Sequence, residues 1–512
     1  MTAVIDNRMA VNGSGLLHDS SNRRPAGGQP WVAGATEPPD GPVCVDLDGT
    51  LVRTDTLIEG MLALGLNRRL LKALLLLFGP RAAFKEFVGR EGEINPALLP
   101  YNDQLLSWLH EQKAHGRRLI LTTAADVRVA RAIADHLGIF DDIIASDGVE
   151  NNKGPRKAKA LIQRYGVGNF TYVGNGRADL SVWRAAGKGV TVNAPAGVVS
   201  AASRVAGLTL KINDRPSVGR AIWRAMRPYQ WVKNLLVFVP IITAHALTDL
   251  SAWASAALMF AAFCAAASGI YLINDISDLC SDRLHPRKRH RPLASGALTV
   301  PLGVALVPVL LGLGLALGAA VGALWVILGY VALSLSYSLK LKEKPLVDVF
   351  ILAALYTVRL VGGGEATGYV LSLWLLAFSS FMFLSLALIK RVEELRALNE
   401  LSPGSSIPRR GYKTCDLSIL QLFGCCASFS SSIVLALYVH DQVAAQHTAS
   451  IFLWGIVPLM LFWQCRLWLT TVRGNMQYDP IIYAAHDRIS WLVAVGMITT
   501  FSLASSRPLV GF

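Results

Sequence analysis

From residue 234 onward the chain is dominated by apolar runs, and their length limits what it can fold into. Read in order they occupy 235–250, 252–273, 299–318, 321–338, 346–362, 369–389, 419–439, 450–469 and 489–506. Coiled as helix at about 1.5 Å per residue, runs of roughly 17 to 23 residues match the hydrocarbon thickness of a bilayer. The expected architecture of this half is an all-α membrane domain of about nine transmembrane helices. With 53% hydrophobic and only 16% charged residues over 512 positions, the chain is too apolar to be wholly soluble.

Cations between the runs alternate. Arg283, Arg287, Lys288, Arg289 and Arg291 follow the second run, and Lys340, Lys342 and Lys344 the fourth. Lys390, Arg391, Arg396, Arg409, Arg410 and Lys413 follow the sixth, and Arg473 and Arg488 the eighth. The loops "GGGEATGYV" and "HDQVAAQHTAS" carry no Lys or Arg. By the positive-inside rule the N-terminus and the even-numbered loops are expected on the cytoplasmic side of a cell's inner membrane. Topology and phosphate ligands account for the net charge of +14. Nucleic acid is not an expected partner, because the basic residues lack interleaved aromatics. The seven cysteines are odd in number and lack CxxC spacing, so they read as small buried hydrophobes. Oligomeric state leaves no trace in the sequence.

Residues 1–40 show no basic segment followed by an apolar core and read as a disordered tail. Residues 41–212 have the pattern of a parallel α/β sheet, with short strands in "PVCVDLDGTLV", "RRLILTTA", "FDDIIASD", "FTYVGN" and "KGVTVNA". A helical cap is expected at about 55–100, after the first strand; its "LLKALLLLFG" suits a buried cap helix, or contact with lipid. Residues 213–233, with Trp223 and Trp231 among Arg220, Arg224, Arg227 and Lys233, read as an interfacial helix leading to the membrane domain at 234–512.

At the end of the first strand "DLDGT" places Asp46 and Asp48 two residues apart on one side of the chain, where a cation could hold one while the other moves protons. Thr122 closes "LILT", Lys153 sits in "NNKG", and "VGNGRAD" supplies Asn175 and Asp179. In this order the stretches resemble the haloacid dehalogenase-like hydrolases. That resemblance implies an α/β Rossmann-like fold with a small helical cap and an aspartyl-phosphate mechanism. Asp46 would attack phosphorus, Asp48 would act as acid and then base, and Thr122 and Lys153 would hold phosphate. Mg²⁺ would lie on Asp46, Asp48, Asn175 and Asp179; Asn175 stands where the family usually has an acid, and an amide brings oxygen without charge.

The second apolar run ends in "NDISDLCSD". If helix continues, Asn274, Asp275, Asp278 and Asp282 share one face, where a divalent cation would offset their mutual repulsion. The bland alternative neutralises these acids with Arg287, Lys288 and Arg289. The spacing resembles the UbiA superfamily of intramembrane prenyltransferases. Aromatic-prenylating members carry a second acid pair; here Asp348 is followed four residues later by Leu352, with Tyr337, Lys340, Lys342 and a membrane-buried Arg359 nearby. The partner expected for Arg359 is phosphate or Asp348. With Lys390 and Arg391 in "LIKRVEEL", and "HPRKRHRP", the chain resembles the polyprenyl-phosphate phosphoribosyltransferase branch.

That branch implies phosphoribosyl diphosphate as donor and a polyprenyl phosphate, such as decaprenyl phosphate, as acceptor. Asn274, Asp275, Asp278 and Asp282 would hold Mg²⁺ and the donor diphosphate. Lys288 and Arg291 would grip phosphate, and Tyr337, Lys342, Asp348, Arg359, Lys390 and Arg391 would bind phosphate or acceptor. The soluble half would then remove the 5-phosphate, on the way to polyprenyl-phosphoryl ribose and arabinose. The alternative is an aromatic prenyltransferase using prenyl diphosphate, with a regulatory or degenerate phosphatase-like domain.

Overall fold

The computed structural model describes residues 41–65, 68–76, 81–147, 152–401, 410–446, 450–476 and 479–506; the tail expected at 1–40 lies outside them. Six parallel strands, β1 (Val43–Val45), β2 (Leu119–Asp126), β3 (Asp142–Ser146), β4 (Thr171–Gly174), β5 (Lys188–Val192) and β6 (Gly207–Ile212), line up as β3-β2-β1-β4-β5-β6. Helices cover both faces, so the central strands are apolar without alternation. Val43, Val45, Leu121 and Val173 pack on Leu105, Leu109 and Ile133, while Cys44, Ile120 and Tyr172 pack on Ala158, Leu161 and Trp183. β6, absent from the sequence reading, is an edge strand with alternate residues exposed.

The strand order reverses between β1 and β4, and a crevice opens there at the carboxyl ends, the usual ligand site of such sheets. The cap comprises Thr56–Ala63, Arg68–Leu76 and Arg81–Glu91. Asp55 starts its first helix by accepting the Leu57 and Ile58 N–H groups at 2.9 and 3.4 Å.

The membrane half departs from nine uniform spans. Among the described residues six helices are long and apolar enough to cross a bilayer, from Leu250–Ser277 to Phe452–Val472, and a seventh if the bent pair Pro480–His486 and Arg488–Ala504 counts as one. Leu324–Leu339 is a shorter apolar helix. The run expected at 235–250 is not one helix: a 3₁₀ segment Pro228–Phe238 leads into Val239–Thr243, and the chain turns at His245, whose φ is +53°. Pro240 lacks an N–H and breaks the ladder there. Elsewhere small residues let helices approach closely: a Cβ on Gly314 would lie 3.0 Å from the Ala262 carbonyl, locking Val300–Ala320 onto Leu250–Ser277. The cysteine expectation also needs correction. Only Cys44 and Cys264 are buried, Cys425 is half-buried, and Cys280, Cys415, Cys426 and Cys465 are exposed.

Candidate active sites

In the hydrolase half, Asp46 leaves the end of β1 buried at 9% exposure. Its Oδ1 meets an ammonium at 2.6 Å, and that ammonium belongs to Lys157. Lys153, expected in this role, instead lines the cavity beside Asp48, Asp55, Lys85 and Asp126. The reason is helical register. Pro155–Tyr165 buries Lys157, Ala158 and Leu161 against the sheet, whereas Lys153 precedes the helix. That inward spacing was the available signal for Lys157.

Asp48 accepts the Thr56 N–H at 2.8 Å, so the second carboxylate touches the start of the cap. Between the two acids Gly49 has φ +74°, and a Cβ there would fall 2.1 Å from Asn175 Nδ2. Asn175 is therefore packed onto the acid-bearing turn, and only glycine fits beneath it. Asp179 is buried with both oxygens engaged: Oδ2 accepts the Asn175 and Gly176 N–H groups at 3.1 and 2.9 Å, and Oδ1 accepts the Tyr172 hydroxyl at 2.8 Å. It holds the turn that presents Asn175. Thr122 is fully buried, its hydroxyl beside the Cys44 thiol and unmatched by any oxygen or nitrogen; the cavity wall on β2 is formed instead by Ala125 and Asp126.

Burial pushes the Asp46 carboxyl up to about 6 despite Lys157, with Asp179 adding to the rise. Burial and then the Asp55 carboxylate push Asp48 up to about 7. Two such acids, under-neutralised and beside the Asn175 side chain, form a hard donor pair of the type that suits a Mg²⁺ ion keeping several waters. The expected four-residue set is not gathered, and among the described residues no three His, Cys, Asp or Glu side chains stand close enough to hold a metal.

The sign of the pH effect follows. A carboxyl whose pKa rises on folding stabilises the metal-free fold below about pH 4 and loses that contribution as pH climbs through about 6 and 7. With chelator present, the unfolding temperature of the detergent-solubilised protein is expected to fall between about pH 5 and 8. Mg²⁺ is expected to raise it more at the higher pH; an equal rise at both would speak against these carboxylates as ligands.

In the membrane half, Leu250–Ser277 breaks at Asp278 and resumes as Leu279–Leu284, yet Asp275 and Asp282 still face each other, each 2% exposed. A guanidinium fills the space between them: Arg291 Nη1 lies 3.1 Å from Asp275 and 2.6 Å from Asp282. Arg227 also pairs with Asp275. Asp275 and Asp282 are thus neutralised by Arg291 and Arg227, while Arg287, Lys288 and Arg289 are exposed. Asn274 and Asp278 are half-buried on the same turn. The oxygens suit a hard divalent cation by type, but as folded their counter-charge is Arg291. Arg227 was missed as a contributor, because its 48-residue separation from Asp275 leaves no local spacing to read.

The remaining expected ligands fall into two groups. Arg391 and Asp348 are each 0% exposed and joined at 2.6 Å, with the Tyr412 hydroxyl on the other Asp348 oxygen at 2.5 Å. Arg410 approaches this pair at 3.9 Å and Tyr337 at 3.4 Å, so Tyr337 belongs here, while Lys342 is half-buried nearby on the 3₁₀ turn Leu341–Glu343. Arg391 is a structural counter-ion. Arg359 does not reach Asp348: its Nε donates to Asn234 Oδ1 at 2.7 Å and its Nη2 to the Tyr330 hydroxyl at 3.2 Å, within rings of Phe263, Tyr330 and Tyr356. Close by, Asp479 gathers Lys233 at 2.6 Å, Lys390 at 3.7 Å and the Tyr356 hydroxyl at 3.5 Å. Asp479 and Lys233 escaped the sequence reading; a lone Asp before Pro480, capping a helix between apolar runs, was the signal.

The halves are docked. Arg283, next to Asp282, grips Glu59 of the cap through two contacts of 2.9 and 2.7 Å, both side chains being 6% exposed. Ile58 and Leu62 pack beside this pair against Leu272, Leu279 and Leu293. Asp48 therefore touches the first residue of the cap helix Thr56–Ala63, and Glu59 of the same helix is held by the sequence neighbour of Asp282.

A parallel sheet with an Asp-x-Asp turn, joined to a helical membrane body with an Asn-Asp-x-x-Asp-x-x-x-Asp turn, defines a hydrolase–transferase fusion. The haloacid dehalogenase-like hydrolase profile matches residues 43–184 and the UbiA prenyltransferase family profile residues 235–477. An uncharacterized protein of Sinorhizobium fredii is 33% identical over 90% of this chain and 91% of its own length. Decaprenyl-phosphate phosphoribosyltransferase of Mycobacterium tuberculosis is 28% identical over 55% of this chain and 93% of its own. A UbiA homolog from Archaeoglobus fulgidus bound to GPP and Mg²⁺ superposes with a TM-score of 0.44 at 19% identity, covering 55% of this chain and 99% of that one. The chain belongs to the UbiA prenyltransferase family, with a haloacid dehalogenase-like hydrolase domain ahead of its membrane half.

Proposed function

We propose that the membrane half transfers 5-phosphoribose from phosphoribosyl diphosphate to a polyprenyl phosphate, and that the soluble half removes the 5-phosphate. The observation that supports this reading is the docking of the cap helix that follows the Asp46–Asp48 turn onto the helix turn bearing Asp282, through Glu59 and Arg283. Tethering of this kind raises the local concentration of one centre's product at the other. The likeness to decaprenyl-phosphate phosphoribosyltransferases supports the choice of donor and acceptor.

On this reading Asp275, Asp278 and Asp282 would hold Mg²⁺, which would supply positive charge to offset that of the departing diphosphate. Arg291 turns from the carboxylates to phosphate, and the lipid phosphate, ionised at neutral pH, attacks C1 of ribose without a strong base. Lys233, Lys390 and Arg359 add positive charge for the acceptor. In the hydrolase, Asp46 is the nucleophile, Lys157 and Lys153 steady the phosphoryl group, and Asp48 moves the proton. The enzyme would work at the cytoplasmic face of the inner membrane.

The test is mass spectrometry of lipids made by the purified full chain from phosphoribosyl diphosphate, Mg²⁺ and polyprenyl phosphate. Ribosyl lipid lacking the 5-phosphate is expected, and Asp278→Ala is expected to lower total sugar-lipid by about a hundredfold or more. Product from prenyl diphosphate and a phenol, with none from phosphoribosyl diphosphate, would instead establish an aromatic prenyltransferase.

A further inference from the structure

Where the two halves meet, the seam encloses a cavity of about 330 Å³ lined by residues of neither acid centre. Arg53 enters it from the loop after the Asp46–Asp48 turn, and Asp214 and Arg215 from the segment after β6. Arg224 of the helix Val218–Met226 and His290 and Ser295 of the membrane half close the other side.

Two observations make this a place for an anion. The first is charge. Asp214 is saturated, with Arg53 on Oδ2 at 2.5 Å and the Asn193 and Asn102 amides on Oδ1 at 2.8 and 3.4 Å. It balances one guanidinium of the three. Burial depresses the Arg215 guanidinium against the pull of Asp214, and Arg53 depresses it further. The second is unmet hydrogen bonding. Nε of Arg53 and Nε of Arg215 are buried donors with no partner. Leaving a buried N–H unmatched is costly, and a rotation of either side chain into the cavity would let an oxyanion's lone pairs match it. The Arg215 guanidinium is also tied to the Arg53 backbone, since its Nη2 donates to the Arg53 carbonyl.

We propose that the seam binds a small phosphate-class anion, inorganic phosphate or diphosphate, which bridges Arg53 and Arg215 of the hydrolase side to Arg224 of the membrane side. The site stands apart from the two reactions proposed above, although each would release one such anion.

The experiment is equilibrium dialysis of the full chain in detergent, with EDTA and no divalent metal, against radiolabelled phosphate and separately against radiolabelled diphosphate. One saturable site per chain is expected, weakened at least tenfold by Arg224→Gln or Arg215→Gln. Arg215→Lys, which keeps the charge but loses the Nε donor, is expected to bind more tightly than Arg215→Gln and more weakly than the parent, which guards against misfolding of the neutral variant. Lys157→Gln, which alters the Asp46 centre, is expected to leave this binding unchanged. Absence of saturable binding by either anion overturns the proposal. So does binding that survives Arg224→Gln but is lost in Lys157→Gln, which would place the ion at the hydrolase centre.

Discussion

The full chain carrying Asp46→Asn is expected to consume phosphoribosyl diphosphate at the parent rate while its lipid product keeps the 5-phosphate. The substitution preserves the shape of the side chain at the end of β1 but removes the nucleophilic oxygen anion. It also leaves Lys157, only 3% exposed, facing a neutral amide 2.6 Å from where its counter-ion was. Nothing else described around this turn replaces it: Asp48 is turned toward Thr56 and Asp179 is committed to backbone N–H groups and Tyr172. Loss of an enzyme's nucleophile costs about 10³-fold or more in rate. Mass spectrometry should show the phosphorylated lipid accumulating; dephosphorylated lipid at the parent rate would remove Asp46 from the mechanism.

Arg391→Leu is expected to have the largest effect on stability. Arg391 and Asp348 are both 0% exposed, and the guanidinium is the close cation at 2.6 Å, with Arg410 at 3.9 Å. Removing it strands a carboxylate inside a helical bundle beside Tyr412, at a cost of about 3–5 kcal/mol. The double variant Arg391→Leu with Asp348→Leu is expected to recover part of the loss, because it removes the fully buried carboxylate, while Glu394, the second partner of Arg391, keeps Arg410 at 3.7 Å. Thermal unfolding in detergent reads both. A single variant as stable as the parent would show the pair to be solvated.

Much of this was legible in the chain, and the boundary of what was legible has a physical cause. The strands β1 to β5 and most membrane helices follow from apolar runs, since burial on both faces and immersion in lipid each demand continuous hydrophobicity. Asp46, Asp48, Asp275 and Asp282 lie in short motifs readable from their spacing, although Lys157 and Arg227, the cations on Asp46 and Asp275, lie 111 and 48 positions away. Failures came where a contact spans the chain. Lys233 meets Asp479 across 246 positions, and Arg359 meets Asn234 across 125. No periodicity encodes such pairs. The sequence reading took Lys153 in "NNKG" and did not weigh Lys157, whereas helix register decides which lysine faces the sheet. The segment at 235–250 failed for another reason: its composition is apolar enough, but a backbone lacking one N–H at Pro240 bends instead of spanning as a single rod.

The grip of Arg283 on Glu59 has a consequence for how such a chain can change over time. One side of that contact is neighbour to Asp282, and the other starts four residues after Asp55 at the mouth of the hydrolase. Loss of either side chain would leave a buried charge in the opposite half, so Glu59 and Arg283 are expected to change together.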